Sequence, residues 1–307
     1  MRSSEAGFGI LMPRTLAAIA AILALAGSAS AAPLTAADIL AQSPASAWRA
    51  LDPNDTLYLD LPQGRVVIEL APAFAPNHAA NIRALVHSGY FDDSAIVRVQ
   101  DNYVVQWSAP ESRKITAGHD TLKAEFDKPI GPRTKGEPPF IPLSDPDTYA
   151  PEVGFSGDFP AARDPRTHTT WLAHCYGMVG AGRDNDADSG GGKELYAVIG
   201  QSPRNLDRNV TLVGRVVQGM ELLSALPRGP GDMGFYAKDA DKTAIRKVRL
   251  AADLPVAERL ALQVLKTDSP TFKALIEARR TRHDTWYRYS PERLGLCNIQ
   301  VPVRVEK

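Results

Sequence analysis

The chain has 307 residues, enough for one large domain or two modest ones around a well-buried core. Its 35 Lys and Arg balance 35 Asp and Glu, so no net field draws it to nucleic acid or to an anionic membrane. The 24 prolines and 23 glycines are plentiful for a helical protein and fit short strands joined by turns.

Arg14 precedes an apolar run at 16–26, followed by Gly27, Ser28 and the small residues Ala29, Ser30 and Ala31. That order is the order of a secretory signal, and the run is too short to span a bilayer comfortably. Cleavage after Ala31 would remove 1–31 and give a periplasmic or secreted protein; an uncleaved anchor is the alternative. Met12, directly before Pro13 and Arg14, offers a second start with a more usual charged beginning. Residues 32–54 are a polar, alanine-rich lead in which Ile39, Leu40 and Trp48 suggest a turn or two of helix lying on the domain.

Residues 57–61 and 65–70 read as paired strands with Pro62-Gln63-Gly64 as their turn. Pro76 suits a first helical turn, and Ala79, Ile82, Leu85 and Val86 recur at helical spacing until Gly89 ends the run. His78 and His87 fall away from that stripe and read as solvated surface. Residues 95–107 then read as one strand. With a period of two, Arg98 and Gln106 have the same parity and share a face beside Tyr103 and Val104. A lone arginine in such a run is either a functional cation or a strand arginine paired with a carboxylate. The surface suits a substrate that is partly apolar and carries a carbonyl.

Residues 108–170 show little periodicity, and the proline-rich passage 129–165 reads as an ordered surface excursion or a flexible loop. His119 and His168 have no ligand-like spacing. His174 and Cys175 fall in a segment read as a packed, alternating strand. Asp184, Asp186 and Asp188 look like the front of a calcium loop, but Ser189 and Leu195 stand where that loop wants glycine and glutamate, so a solvated polar turn is expected. Two strands, 194–200 and 211–217, flank a turn at 202–209. A short helix over 218–226 ends at Pro227, and 245–250 supplies a closing strand. Beyond 255, Val256, Leu260, Val264 and Leu265, then Phe272, Leu275 and Ile276, follow helical spacing around a break at Asp268-Ser269-Pro270. Two helices are expected there, with Arg279, Arg280, Arg282 and Arg288 on a solvated basic face. Cys175 and Cys297 either pair or remain two buried thiols.

Taken in succession, 57–94, 95–107 and 177–220 resemble the cyclophilins, the barrel-shaped peptidyl-prolyl cis-trans isomerases. The resemblance implies a mainly β fold: a closed antiparallel barrel capped by two helices over 55–254, with a helical C-terminal extension at 255–307. It implies catalysis by Arg98 and Gln106, a pocket of Tyr103, Val104, Tyr196 and Leu206, and a groove along Gly182 and Arg183. Three further positions depart from the family's usual residues: Glu194 for glutamine, Asn205 for tryptophan and Val210 for histidine. Val97 also stands where a histidine usually precedes the arginine. The implied partners are proline-containing polypeptides, with no cofactor, metal, nucleic acid or stable membrane insertion. A non-catalytic proline-peptide binder, motivated by Asn205 and Val210, and an envelope scaffold docking through its C-terminal helices are the competing readings.

Overall fold

The computed structural model describes residues 34–131, 137–201 and 203–306; the signal reading at 1–31 lies outside them. Among the described residues no helix is long and apolar enough to cross a membrane. The lead holds helix α1 (Ala36–Ala41), started by a reciprocal cap between Thr35 and Asp38, and strand β1 (Trp48–Ala50). The hairpin β2 (Thr56–Leu61) and β3 (Gly64–Leu70) and helix α2 (Pro76–His87) follow as expected. The stretch read as one strand is instead a hairpin, β4 (Ser94–Val99) and β5 (Val104–Ser108), turned at 100–103 with Asn102 in the left-handed region (φ 52°).

Five strands occupy the region read as an irregular excursion: β6 (Lys128–Pro129), β7 (Phe140–Pro142), β8 (Glu152–Ser156), β9 (Phe159–Asp164) and β10 (Thr169–Leu172). After them come β11 (Met178–Ala181), β12 (Glu194–Val198), β13 (Leu212–Gln218), helix α3 (Met220–Ser224), β14 (Thr243–Ile245) and β15 (Lys247–Leu250). The tail holds β16 (Leu262–Leu265), helix α4 (Pro270–Arg280) and β17 (Val303–Val305).

Nine antiparallel strands form one ladder in the order β14-β4-β5-β12-β11-β13-β3-β2-β15. Its two ends are consecutive in the chain. The expected closing strand is therefore two strands, parted at Arg246, whose amide donates to the Asp60 carbonyl at 2.9 Å and draws the ladder's ends together. Inward residues such as Ile68, Val105, Trp107, Leu195 and Ala197 fill the barrel, with Ile82 and Leu85 from α2 and Leu223 from α3 packed on them. Burial of each large apolar side chain is worth about 1.5–3 kcal/mol, which is what holds the two helices on the barrel.

The remaining strands form two smaller sheets, β6-β10-β9-β8-β7 and β1-β16-β17. Val153, Phe155 and Trp171 of the first share a second core with Phe272, Leu275 and Ile276 of α4. Gly154 is needed where β8 meets β7, because a Cβ there would lie 2.1 Å from the Ile141 carbonyl oxygen. The tail has one helix, not two: 262–265 is a strand because β1 and β17 on either side satisfy its backbone groups. Arg280 is not on a solvated face either, since it pairs with Asp145 at 2.5 Å and with Glu277. Cys175 and Cys297 form a disulfide between the segment preceding β11 and the tail.

Two histidine readings are corrected. His78 is buried on α2, its ring between Glu125 Oε2 (2.7 Å) and the Gly190 carbonyl oxygen (3.1 Å). His174 is buried too, but lies beyond the end of β10 rather than within a strand. His87 is exposed, as expected.

Candidate active site

A cross-strand row builds the site. Arg98 on β4 is the Cα partner of Gln106 on β5, Gln106 of Tyr196 on β12, and Tyr196 of Gly180 on β11. Val105, Trp107, Leu195 and Ala197 point into the barrel, so their neighbours Val104, Gln106, Glu194 and Tyr196 point out. Arg98 joins them through a register shift between Ile96 and Arg98. Without that bulge Ile96, which is in the core, and Arg98 would face the same way. The sequence reading paired Arg98 with Gln106 by parity along one strand; the pairing is real, but it arises across a hairpin.

Over this row lies a cavity of about 580 Å³. Its wall includes Arg98, Tyr103, Val104, Gln106, Gly182 and Arg183, together with Glu194, Tyr196, Leu206 and Val210. Of the catalytic, pocket and groove residues expected from sequence, Asn205 alone is absent from the wall, being exposed on the turn Arg204–Leu206, whose Leu206 lines the cavity instead; Val97, which precedes Arg98, is not in the wall either. Met233 and Phe235 also line the cavity, from the segment after α3, where no hydrophobic period marks them.

Arg98 is held without being neutralised. Nε donates to the Met233 carbonyl at 2.7 Å, Nη1 to Gln106 Oε1 at 3.3 Å, and Nη2 to Gln100 Oε1. The guanidinium also lies over the rings of Tyr103 (5.4 Å) and Phe235 (5.2 Å). Among the described residues it makes no ion pair, so the alternative of a strand arginine paired for stability does not describe it. Partial burial lowers its proton affinity, opposed by Tyr103, yet an arginine stays charged.

Gln106 is oriented from its other side. Its Nε2 donates to Glu194 Oε2 at 2.8 Å, and because a carboxylate only accepts, the amide oxygen is left facing Arg98. Gly182 leaves room for this pair: a Cβ there would lie 3.2 Å from the Glu194 Cβ and 3.5 Å from Gln106 Nε2. Arg183 lies along the glycine-rich loop, bonded to the Asn209 carbonyl at 2.8 Å and set over Phe126. Val104, Tyr196 and Val198 form a small outward cluster with Tyr103 and Val210, which is the apolar half of the cavity. The acidic turn is bonded internally, Asp186 Oδ1 accepting from the Asp188 amide at 2.9 Å.

The barrel thus carries on its outer face a charged guanidinium beside an apolar cluster, both lining one cavity. The cyclophilin type peptidyl-prolyl cis-trans isomerase/CLD family matches residues 56–250, well over half of the chain. The chain belongs to the cyclophilin-type peptidyl-prolyl cis-trans isomerases. A probable peptidyl-prolyl cis-trans isomerase of Brucella suis biovar 1 (strain 1330) is 26% identical over 206 residues, covering 66% of this chain and 86% of the relative. A protein of the same name from Brucella abortus (strain 2308) gives the same values. The crystal structure of cyclophilin AquaCyp293 from Hirschia baltica has a TM-score of 0.67 at 23% identity, covering 85% of this chain and 94% of that one. The fold likeness therefore extends past the barrel into the accessory sheets.

Proposed function

We propose that this isomerase acts on X-Pro bonds of exported polypeptides, with Arg98 as the catalytic donor and Gln106 orienting the substrate carbonyl. Rotation about an X-Pro bond is slow because amide resonance sets a barrier of about 18–20 kcal/mol. In the twisted state the prolyl nitrogen regains its lone pair, so a donor placed against that nitrogen favours the transition state over either ground state. The apolar cluster of Val104, Tyr196, Tyr103 and Val210 suits the ring, and Leu206 bounds it. The observation that carries the reading is the unneutralised Arg98 at the edge of that cluster. Export is supported by the charged, apolar and small-residue order of 1–31 and by a disulfide, which persists in oxidising compartments.

The test is an NMR exchange assay on a short Ala-Pro peptide, with the mature protein and its Arg98→Ala variant. Acceleration by the wild type that falls about a hundredfold in the variant is expected, since one such donor is worth roughly 3 kcal/mol. A folded wild type that binds the peptide without accelerating its exchange would make the chain a proline-peptide binder. Export is tested by N-terminal sequencing of the protein recovered from a bacterial periplasm; a chain still carrying 1–31 would refute cleavage after Ala31.

A further inference from the structure

Behind the cavity runs a buried polar relay that the reaction as read above does not use. His174, which has no solvent exposure, places Nδ1 3.0 Å from Asp207 Oδ1 and Nε2 3.0 Å from the Tyr196 hydroxyl. Its backbone amide donates to the same Asp207 oxygen at 2.9 Å. The other Asp207 oxygen accepts from Arg204 Nε at 2.6 Å and Trp171 Nε1 at 3.3 Å. Arg204, buried itself, carries on to Asp147 at 3.0 and 3.2 Å, in the segment between β7 and β8.

The proton positions follow from the acceptors. Burial lowers the proton affinity of His174 and outweighs the pull of Asp207, so the ring is neutral. For Asp207 burial acts upward, but the bonds from His174 and the charge of Arg204 prevail and keep it ionised. A carboxylate only accepts, so the imidazole hydrogen is on Nδ1 and Nε2 accepts from the Tyr196 hydroxyl. That hydroxyl is thereby committed to His174, while Tyr196 lines the cavity. The slot for this tyrosine is cut in the neighbouring strand: a Cβ on Gly180 would lie 2.3 Å from the Tyr196 hydroxyl oxygen.

We propose that His174 is a positioning residue of the prolyl cavity: through Nε2 it locks the Tyr196 ring as the floor, while Asp207 fixes the tautomer that leaves Nε2 free to accept. The proposal rests on reading this cavity as the prolyl site. It makes the floor's geometry depend on groups that never touch substrate, one of them on the accessory sheet's side of the molecule.

Two conservative replacements separate the arms of the imidazole. His174→Asn keeps a donor where Nδ1 meets Asp207 but is too short for Tyr196; His174→Gln places an acceptor near the Nε2 position. Peptide affinity, KM and kcat are measured for both, for Tyr196→Phe, and for the double variant His174→Asn with Tyr196→Phe. Expected are a weakening of Kd and KM by about fivefold in His174→Asn and in Tyr196→Phe, with kcat changed far less. His174→Gln stays within about twofold of the wild type, and the double variant is no worse than His174→Asn, because both singles break one bond. Wild-type Kd in folded His174→Asn, or losses that multiply in the double variant, overturns the proposal. Should the wild type not accelerate exchange, the functional reading fails, and the same ordering of peptide Kd values still decides this one. Imidazole nitrogen shifts of wild-type His174 give a measurement independent of any variant: a hydrogen on Nε2 instead of Nδ1 would refute the relay.

Discussion

Glu194 puts a formal negative charge at the rim of a cavity whose other charged groups are Arg98, Arg183, Lys193 and Asp184. Lys193 lies 2.6 Å from Asp120, and Arg183 is turned to the Asn209 carbonyl of the turn before β13 and the Asp184 carbonyl of its own loop. Among the described residues the Glu194 carboxylate has one hydrogen-bonded partner, the neutral amide of Gln106. A peptide with lysine beside its proline is therefore expected to be turned over about threefold better than one with glutamate, at low salt. In Glu194→Gln the preference for lysine should shrink, with raised ionic strength acting the same way on the wild type. Unchanged discrimination in that variant would place the charge out of the substrate's reach. Arg98, Gln106 and Tyr196 were legible from residue type and succession alone. His174 was not, because sequence does not show that a histidine lying between two strands finds an aspartate 33 positions on.

Helix α2 shows what elements add. Its N-cap residue, Ala75, has no side chain able to cap, yet the amides of Asn77 and His78 donate to the Glu125 carboxylate at 3.1 and 3.0 Å. A carboxylate 48 residues away in sequence thus does the work of a cap and complements the helix dipole. His78 and Asn81, on the same helix, bind Gly190 and Gly191 of the glycine-rich loop, so α2 fixes the loop that leads to Gly182 and Arg183. Glu125→Gln should lower stability by about 1 kcal/mol at neutral pH. Burial raises the proton affinity of Glu125, but its bonds to His78 and to both amides outweigh this and hold its pKa below the usual carboxylate value. A lowered folded value means the stabilisation is complete above the unfolded value and fades as pH falls through the folded one. The gap between wild type and variant in urea titrations should close on the acid side; a gap that widens there would be incompatible with the cap. His78 was misread as lying off the apolar stripe, although it precedes Ile82 by four residues and so shares its face. Nor was the strand at 262–265 recognised, because three apolar residues in four positions fit either period until the partners β1 and β17 are known.

At the scale of the molecule, barrel and accessory sheets are joined through charge as well as through their cores. Arg49 on β1 pairs with Glu69 of the barrel and Asp158 of the five-stranded sheet, both at 2.6 Å. Arg215 on β13 completes the set, donating to Glu69 at 3.0 Å and to the Asp158 carbonyl at 2.6 Å. Asp158 in turn accepts from the amide and hydroxyl of Thr267, between β16 and α4, at 2.6 and 2.9 Å. Buried polar atoms are costly to leave without partners, so removing the tail would take both Thr267 bonds from Asp158 Oδ1 and expose the face of the second core that α4 covers. The disulfide acts on the same joint from the other side. It closes a loop of 122 residues, and the loss of chain entropy in the unfolded state gives an upper estimate of about 5 kcal/mol. Cys297→Ser should therefore lower the urea midpoint substantially, while the barrel's inner packing leaves Arg98 and Gln106 in register and kcat close to the wild-type value. Cys175 adjoins His174, so a second effect is expected: the variant's Kd for an Ala-Pro peptide should weaken, because the segment carrying the relay is no longer held to the tail. A variant with lowered stability and unaltered Kd at temperatures well below its transition would show that the tail stabilises the molecule without reaching the cavity.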